Sequence, residues 1–264
     1  MELGRIGVWR SKRHGTSGLD EIEALGYGAF WLGGSPSLAE TRPYVDATTT
    51  LPIATGILNI WPNDPAVVAR EFQDFPERFL LGVGVGHPEA DSDYKRPLKA
   101  MREFLDGLDG VPKDRMVAAA LGPKVLDLAK ERTLGTHPYF IDVQHTRFAR
   151  ERVGPDALVA PEVAVVVEED PETARAHARE YAKLYLGLSN YTKNLLEFGY
   201  TQADIENGGS DRLIDAVIPH GSAERVAEAI RAHLEAGADH VCLQPLGHGA
   251  EPLEDFAKLA KVLL

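Results

Sequence analysis

The residues best suited to chemistry in this 264-residue chain stand directly behind glycines. His87 follows Gly84 and Gly86 in the string GVGVGHPE. An imidazole there can donate or accept a proton near neutral pH, and the missing side chains before it admit a flat ring or a main chain at close range. Gly33 and Gly34 form an adjacent pair ahead of Pro36; they either admit a ring to the backbone or simply make the turn before Pro36. Trp61, shortly after Asn59, is expected to wall a pocket, whereas Trp9 and Trp31 lie within strand-like runs where large aromatics more often pack in a core. The stretch at residues 10–18, RSKRHGTSG, gathers Arg10, Lys12, Arg13 and His14. Such a cluster can attract an anion, although solvated surface charge is the commoner explanation, and Gly15 and Gly18 suit the stretch to a mobile lid. Of the remaining histidines, His145 is expected to be a solvated helix residue, and His177, His233 and His240 to be surface or packing residues. His220 and His248 fall in loops without an assigned role. No H-x-H or H-E-x-x-H motif occurs among the nine histidines, which argues against a metal-dependent hydrolase.

These residues need a scaffold, and the hydrophobic pattern supplies one. Apolar, β-branched runs at residues 5–9, 28–33, 51–58, 78–86, 115–121, 136–141, 158–167 and 240–246 alternate with segments whose apolar residues recur at three- and four-residue spacing. Eight strands alternating with helices predict a (β/α)8 barrel, and the length is usual for one. Pro171 after Asp170, Ser222, and Gly237 mark helix boundaries locally. The connection at residues 186–221 is too long for a simple turn and reads as a helical insertion between the seventh and eighth strands. Residues 252–264 carry one apolar stripe and close the barrel as a final helix. An open doubly wound sheet would alternate similarly, but no strand is followed by a G-x-G-x-x-G turn opening a helix.

The chain is expected to be one domain spanning residues 1–264. It carries 28 Lys and Arg against 40 Asp and Glu, a net charge of -12. That balance repels nucleic acid and anionic lipid. The lone cysteine, Cys242, cannot pair within the chain, and no run is long and apolar enough to cross a bilayer. A cytoplasmic protein acting on a small molecule, with neither nucleic-acid nor membrane partners, is the expectation.

Two consecutive stretches, TGILNIWPNDPAVVAREF at residues 55–72 and RFLLGVGVGHPEADSDYKRPLKAMREFLD at residues 78–106, resemble luciferase-like monooxygenases. Within that family they look like probable coenzyme F420-dependent oxidoreductases. ALGPKVLDLAKERTLGTHPYF (120–140), YLGLSNYTKNL (185–195), GGSDRLIDAV (208–217) and GADHVCLQPL (237–246) extend the resemblance over nearly the whole chain.

The resemblance implies a barrel with a flavin or deazaflavin across the strand ends, and commonly a homodimer. It implies a cis peptide between Gly56 and Ile57 behind the ring, and phosphate contacts from Gly122, Pro123 and residues 136–139, with His137 and Tyr139 among them. On this reading Gly33, Gly34, Gly56, Ile57, Asn59, Gly84, Gly86, Gly122, His137 and Tyr139 contact the cofactor, and His87 is catalytic. Related deazaflavin enzymes carry an acid where His87 stands and, in some, an Asp-His pair where Gly33 and Gly34 stand. The basic loop would hold an anionic tail such as the F420 polyglutamate. The leading expectation is an F420-dependent oxidoreductase moving a hydride to or from an organic substrate. The alternatives are an FMN-dependent monooxygenase using reduced flavin and oxygen, and a non-catalytic flavin- or ligand-binding barrel.

Overall fold

The computed structural model describes residues 1–90, 94–247 and 252–264; His248 lies outside them. Eleven parallel strands form the sheet: β1 (Ile6–Ser11), β2 (Phe30–Gly33), β3 (Ile53–Thr55), β4 (Leu58–Asn59), β5 (Phe79–Gly84), β6 (Met116–Ala118), β7 (Gly135–Thr136), β8 (Leu158–Val159), β9 (Glu162–Val167), β10 (His220–Gly221) and β11 (Val241–Pro245). Ten of them assemble into eight staves, and β10 pairs only with β9. β3 and β4 are two halves of the third, separated by the cis Gly56–Ile57 peptide, and both pair with β5. β8 and β9 are two halves of the seventh, interrupted at Pro161, which has no N–H for the ladder.

The seventh stave closes the ring. On one edge Ala160 and Glu162 donate to the carbonyls of Thr136 and Pro138, both at 2.9 Å. On the other, Asp239 and Cys242 donate to Val159 and Pro161, both at 2.9 Å, and β11 continues into β1 through Ile6↔Val241. Closure leaves the staves without free edges, and every stave is buried on both faces, which accounts for their near-continuous apolar sequence.

Alternation along each stave divides the core into two regions. Val163 and Val165 face outward to pack against the surrounding helices. Ala160, Ala164 and Val166 face the lumen with Trp31, Leu80 and Cys242. The insertion after the Pro171–Leu186 helix consists of helices Ser189–Glu197, Gln202–Ile205 and Asp211–Val217, so it is helical as expected. It ends in an unforeseen short strand, β10, paired to β9 through His220↔Val166. The sixth stave is shorter than its apolar run: only Gly135–Thr136 pair, and residues 137–141 form a loop over the lumen. The closing helix is Leu253–Leu263.

Candidate active site

The ends of the staves open into a pocket of about 1010 Å³, at the top of the ~300–1,000 Å³ range of small-molecule sites. It lies at the C-terminal rim, where barrels place their reacting groups. Its wall is largely aromatic and aliphatic, with Trp9, Tyr139, Tyr181, Tyr185 and Tyr191 among its residues. The insertion supplies one side through Leu188, Asn190 and Lys193.

Of the residues singled out in the sequence, Gly34, Gly56, Ile57, Asn59, Gly84, Gly86, His87, Gly122 and Tyr139 line this pocket. His87 stands three residues beyond the end of β5, with Nδ1 at 3.1 Å from Asn190 Oδ1 and its ring 5.4 Å from that of Tyr191. The amide oxygen accepts, so Nδ1 bears the proton and Nε2 the lone pair in the neutral ring. Tyr139 receives a hydrogen bond at 3.0 Å from the Trp9 indole, whose N–H also reaches the Gly56 carbonyl at 3.3 Å. This ties the first, third and sixth staves together at the pocket floor.

His137 and Gly33 are placed differently from the expectation. His137 is fully buried in the lumen, stacked on Trp31 with ring centroids 4.0 Å apart and Nδ1 on the Ala160 carbonyl at 2.5 Å. Burial pushes its pKa down to about 3, so it is neutral and sealed away from any phosphate. The space a Cβ on Gly33 would need is filled by the Trp9 indole, 1.8 Å away, so this glycine accommodates a side chain of its own protein. Gly84 does the same for Ile57, at 2.7 Å, although it still lines the pocket. At Gly56 the polar tips of Tyr139, His137 and Trp9 crowd the position, at 2.7 to 3.1 Å. Gly122, in an extended conformation, has open space beside its α-carbon, unlike Gly33, Gly56 and Gly84. The grip of that turn on a phosphate is nonetheless thin: Pro123 has no N–H, and the amides of Val125 and Leu126 both turn back to the Gly122 carbonyl.

The basic loop is also rearranged. Arg10 is buried, its Nη2 donating to Gly15 and Ser17 carbonyls at 2.8 and 2.6 Å, so it braces the loop from within. Lys12 pairs with Glu40 at 2.6 Å. Arg13 and His14 reach the pocket, together with Lys193, Glu180 and Glu197. Trp61 is absent from the pocket wall and instead donates to Val85 O at 2.6 Å, bracing the rim from behind. Trp31 is core, as expected. His145 is buried with Nε2 on Leu121 O at 3.0 Å, not solvated, because the first turn of the Val143–Val153 helix sets its ring against Phe148 and Phe198. His177 belongs to the pocket wall.

Sequence reading missed Glu162. Its carboxyl is 1% exposed, and neither oxygen has a hydrogen-bond partner. Burial raises its pKa to about 8; the Phe140 N–H and Tyr181 hydroxyl oppose that rise without completing a hydrogen bond to it. The signal was present: one acid at an inward position of an otherwise apolar strand, LVAPEVAVVV.

No family model and no curated protein sequence matches the chain. Solved structures do match its fold. An F420-dependent secondary alcohol dehydrogenase, in complex with an F420–acetone adduct, superposes with a TM-score of 0.77 over 98% of both chains at 16% identity. The coenzyme F420-dependent tetrahydromethanopterin reductase of Methanopyrus kandleri gives 0.74, over 100% of this chain and 99% of that one, at 14% identity. The oxygenating constituent of 3,6-diketocamphane monooxygenase from Pseudomonas putida, in complex with FMN, gives 0.70 over 98% and 96%, at 15% identity. The chain therefore has the closed barrel common to these proteins, and no helix among the described residues is long and apolar enough to cross a membrane.

Proposed function

We propose that a protein with this fold and this pocket is a deazaflavin-dependent oxidoreductase, transferring a hydride between F420 and a small organic substrate. The observation that carries the reading is a pocket of about 1010 Å³ at the C-terminal rim, walled by aromatic side chains and floored by the Gly56–Ile57 segment. The residues fit a flat conjugated ring. Gly56, Ile57, Gly84 and Tyr139 form a surface without projecting charge, and Leu121 and Leu188 add apolar walls that keep water from the reacting atoms. Gly34, Asn59, Gly86 and the open side of Gly122 offer main chain to the ring's edge and tail. Arg13 and Lys193 supply positive charge an anionic tail would meet, beside the buried Arg10, which lines the same pocket, whereas Lys12 is paired with Glu40.

Bound there, the ring would supply the hydride chemistry. The protein's own contribution is to hold substrate and move a proton, and His87 is the candidate for that step. Asn190 fixes its tautomer, so that Nε2 accepts from, or as the imidazolium donates to, the oxygen or nitrogen of the substrate. The deazaflavin is placed first because two of the structural neighbours are F420-dependent proteins. An FMN-dependent monooxygenase is the second reading, supported by the FMN-bound neighbour at 0.70.

Parallel spectroscopic titration with F420, FMN and FAD tests the reading. Saturable binding of F420 in preference to both flavins is expected, while selective FMN binding transfers the assignment to the monooxygenase. Retention of none of the three overturns both and leaves a non-catalytic barrel. We further propose a homodimer, checked by light scattering, and a cytoplasmic location, checked by cell fractionation.

A further inference from the structure

We infer that Glu162 is a positioning residue for the pocket, its proton deciding whether Gln244 meets the ligand as a hydrogen-bond donor or as an acceptor. The inference rests on the pocket being a ligand site and deepens that reading. Glu162 does not itself line the pocket, but the next layer does: Tyr181, Tyr185, Tyr139, Tyr191 and Gln244 are all pocket residues. Tyr181 donates its hydroxyl proton to Gln244 Oε1 at 3.0 Å and lies 2.8 Å from the Tyr185 hydroxyl. A phenol has one proton to give. With that of Tyr181 on Gln244, the bond between the tyrosines must be donated by Tyr185. One lone pair of Gln244 Oε1 is then held by Tyr181, which weakens the oxygen as an acceptor toward a ligand and leaves the N–H groups as its donors.

That arrangement holds only while Glu162 is a neutral acid. A carboxylate with neither oxygen satisfied is costly in a buried site, and it recruits the nearest turnable donor. Tyr181 is placed for this by the strand register: its acceptor Gln244 pairs with Ala164, two residues along β9 from Glu162 and on the same lumen-facing side, and the Tyr181 hydroxyl opposes the rise caused by burial of the acid. When Glu162 releases its proton to bulk water, the Tyr181 hydroxyl turns from Gln244 to the carboxylate, and Gln244 Oε1 becomes available to a ligand donor. Among the described residues no charged group partners Glu162. The titratable groups facing Glu162 are Tyr139 from the loop after β7, Tyr181 and Tyr185 from the Pro171–Leu186 helix, Tyr191 from the Ser189–Glu197 helix, and Cys242 from β11. Burial pushes every one of these upward, so they stay neutral while Glu162, at about 8, titrates.

The test uses the ligand-free protein and the side-chain amide resonance of Gln244, assigned by its loss in Gln244→Ala. In the wild type this resonance is expected to shift with a midpoint near 8 as an infrared band of a protonated carboxyl disappears. Glu162→Gln should abolish both changes. Tyr181→Phe, which keeps the acid and removes the connecting hydroxyl, should retain loss of the carboxyl band and abolish the Gln244 shift. A Gln244 resonance that ignores pH between 6.5 and 9.5 in the wild type, or that titrates equally in Tyr181→Phe, overturns the inference. Should Glu162→Gln fail to fold, the wild-type and Tyr181→Phe titrations still decide it. Titration with F420, FMN and FAD at pH 7 and pH 9 forms a separate arm: a Gln244 shift with none of the three bound upholds the switch and rejects the flavin and deazaflavin reading.

Discussion

The imidazole of His87 and the carboxamide of Asn190 meet at 3.1 Å across 103 residues of sequence, joining the rim of β5 to the helical insertion. His87→Ala is expected to lower turnover ~10²- to 10⁴-fold, the usual range of general acid–base assistance, with cofactor affinity nearly unchanged. Asn190→Ala, which removes only the group that fixes the tautomer, should cost less. Steady-state kinetics on a turned-over substrate check both; retention of His87→Ala activity within about threefold places the histidine outside the reaction.

Gly122 separates fold from binding. A methyl group added there meets no atom within 4 Å, and its φ of -79° suits any residue. Gly122→Ala should therefore leave thermal stability within about 0.5 kcal/mol, as for an unstrained surface change, while weakening binding of the cofactor that fills this space. Gly56→Ala is the contrasting variant, since its methyl would stand 2.7 Å from the Tyr139 hydroxyl and should lower Tm. Differential scanning calorimetry and a cofactor titration on each variant separate the two effects.

The two arginines of the first loop should behave differently. Arg10→Ala removes two charge-assisted hydrogen bonds to Gly15 and Ser17 in a buried position and is expected to destabilise the fold by about 1.5–3 kcal/mol. Arg13→Ala should leave Tm unchanged and reduce affinity for an anionic ligand by a factor that vanishes at high salt, because exposed charges are worth about 0–1 kcal/mol and are screened. Denaturant unfolding and binding measured at two ionic strengths would reveal the reverse pattern.

Stability should fall on the acid side through buried histidines. Burial lowers His137 to about 3 and His145, His233 and His240 to about 4, all below the ordinary 6.5. The unfolded chain therefore takes up protons first, and the stability these neutral rings contribute is complete above about pH 6.5 and lost as pH falls toward 4. Tm measured from pH 6.5 down to pH 4.5 should decline throughout; a flat profile would mean the rings are not sealed.

Glu162 acts in the opposite sense. Its folded value, about 8, lies above the ordinary 4.5, so the fold keeps the proton longer than the unfolded chain. Its favourable contribution is complete below about 4.5 and lost as pH rises through 8. Glu162→Gln, which has no proton to lose, should gain Tm over the wild type increasingly from pH 6 to pH 9. Between 4.5 and 6.5 four histidines outweigh this one acid, so the net slope there remains that of the histidines.

Much of the architecture was legible in the chain because the forces behind it are local and periodic. Runs buried on both faces must be apolar throughout, helices on a sheet need one stripe, and Asp170 and Ser222 start helices through side-chain caps while Gly237 follows one in a positive-φ conformation. His87 behind Gly86 was visible for the same reason: its position follows from where β5 stops. The occupants of the space around each glycine were not legible. Gly33 and Gly84 look alike in sequence to Gly122, yet Trp9 fills the first and Ile57 the second, while the third faces open volume. Likewise Arg10 and Lys12 are neighbours in one basic string, and only the path of the loop buries one and pairs the other with Glu40. His137, Glu162 and Cys242 acquired their character from closure of the barrel, which brings distant staves together and removes water from between them. Burial, charge state and hydrogen-bond partners are properties of that shared interior, so the sequence determined which strands would form, and the tertiary structure decided which side chains they would enclose.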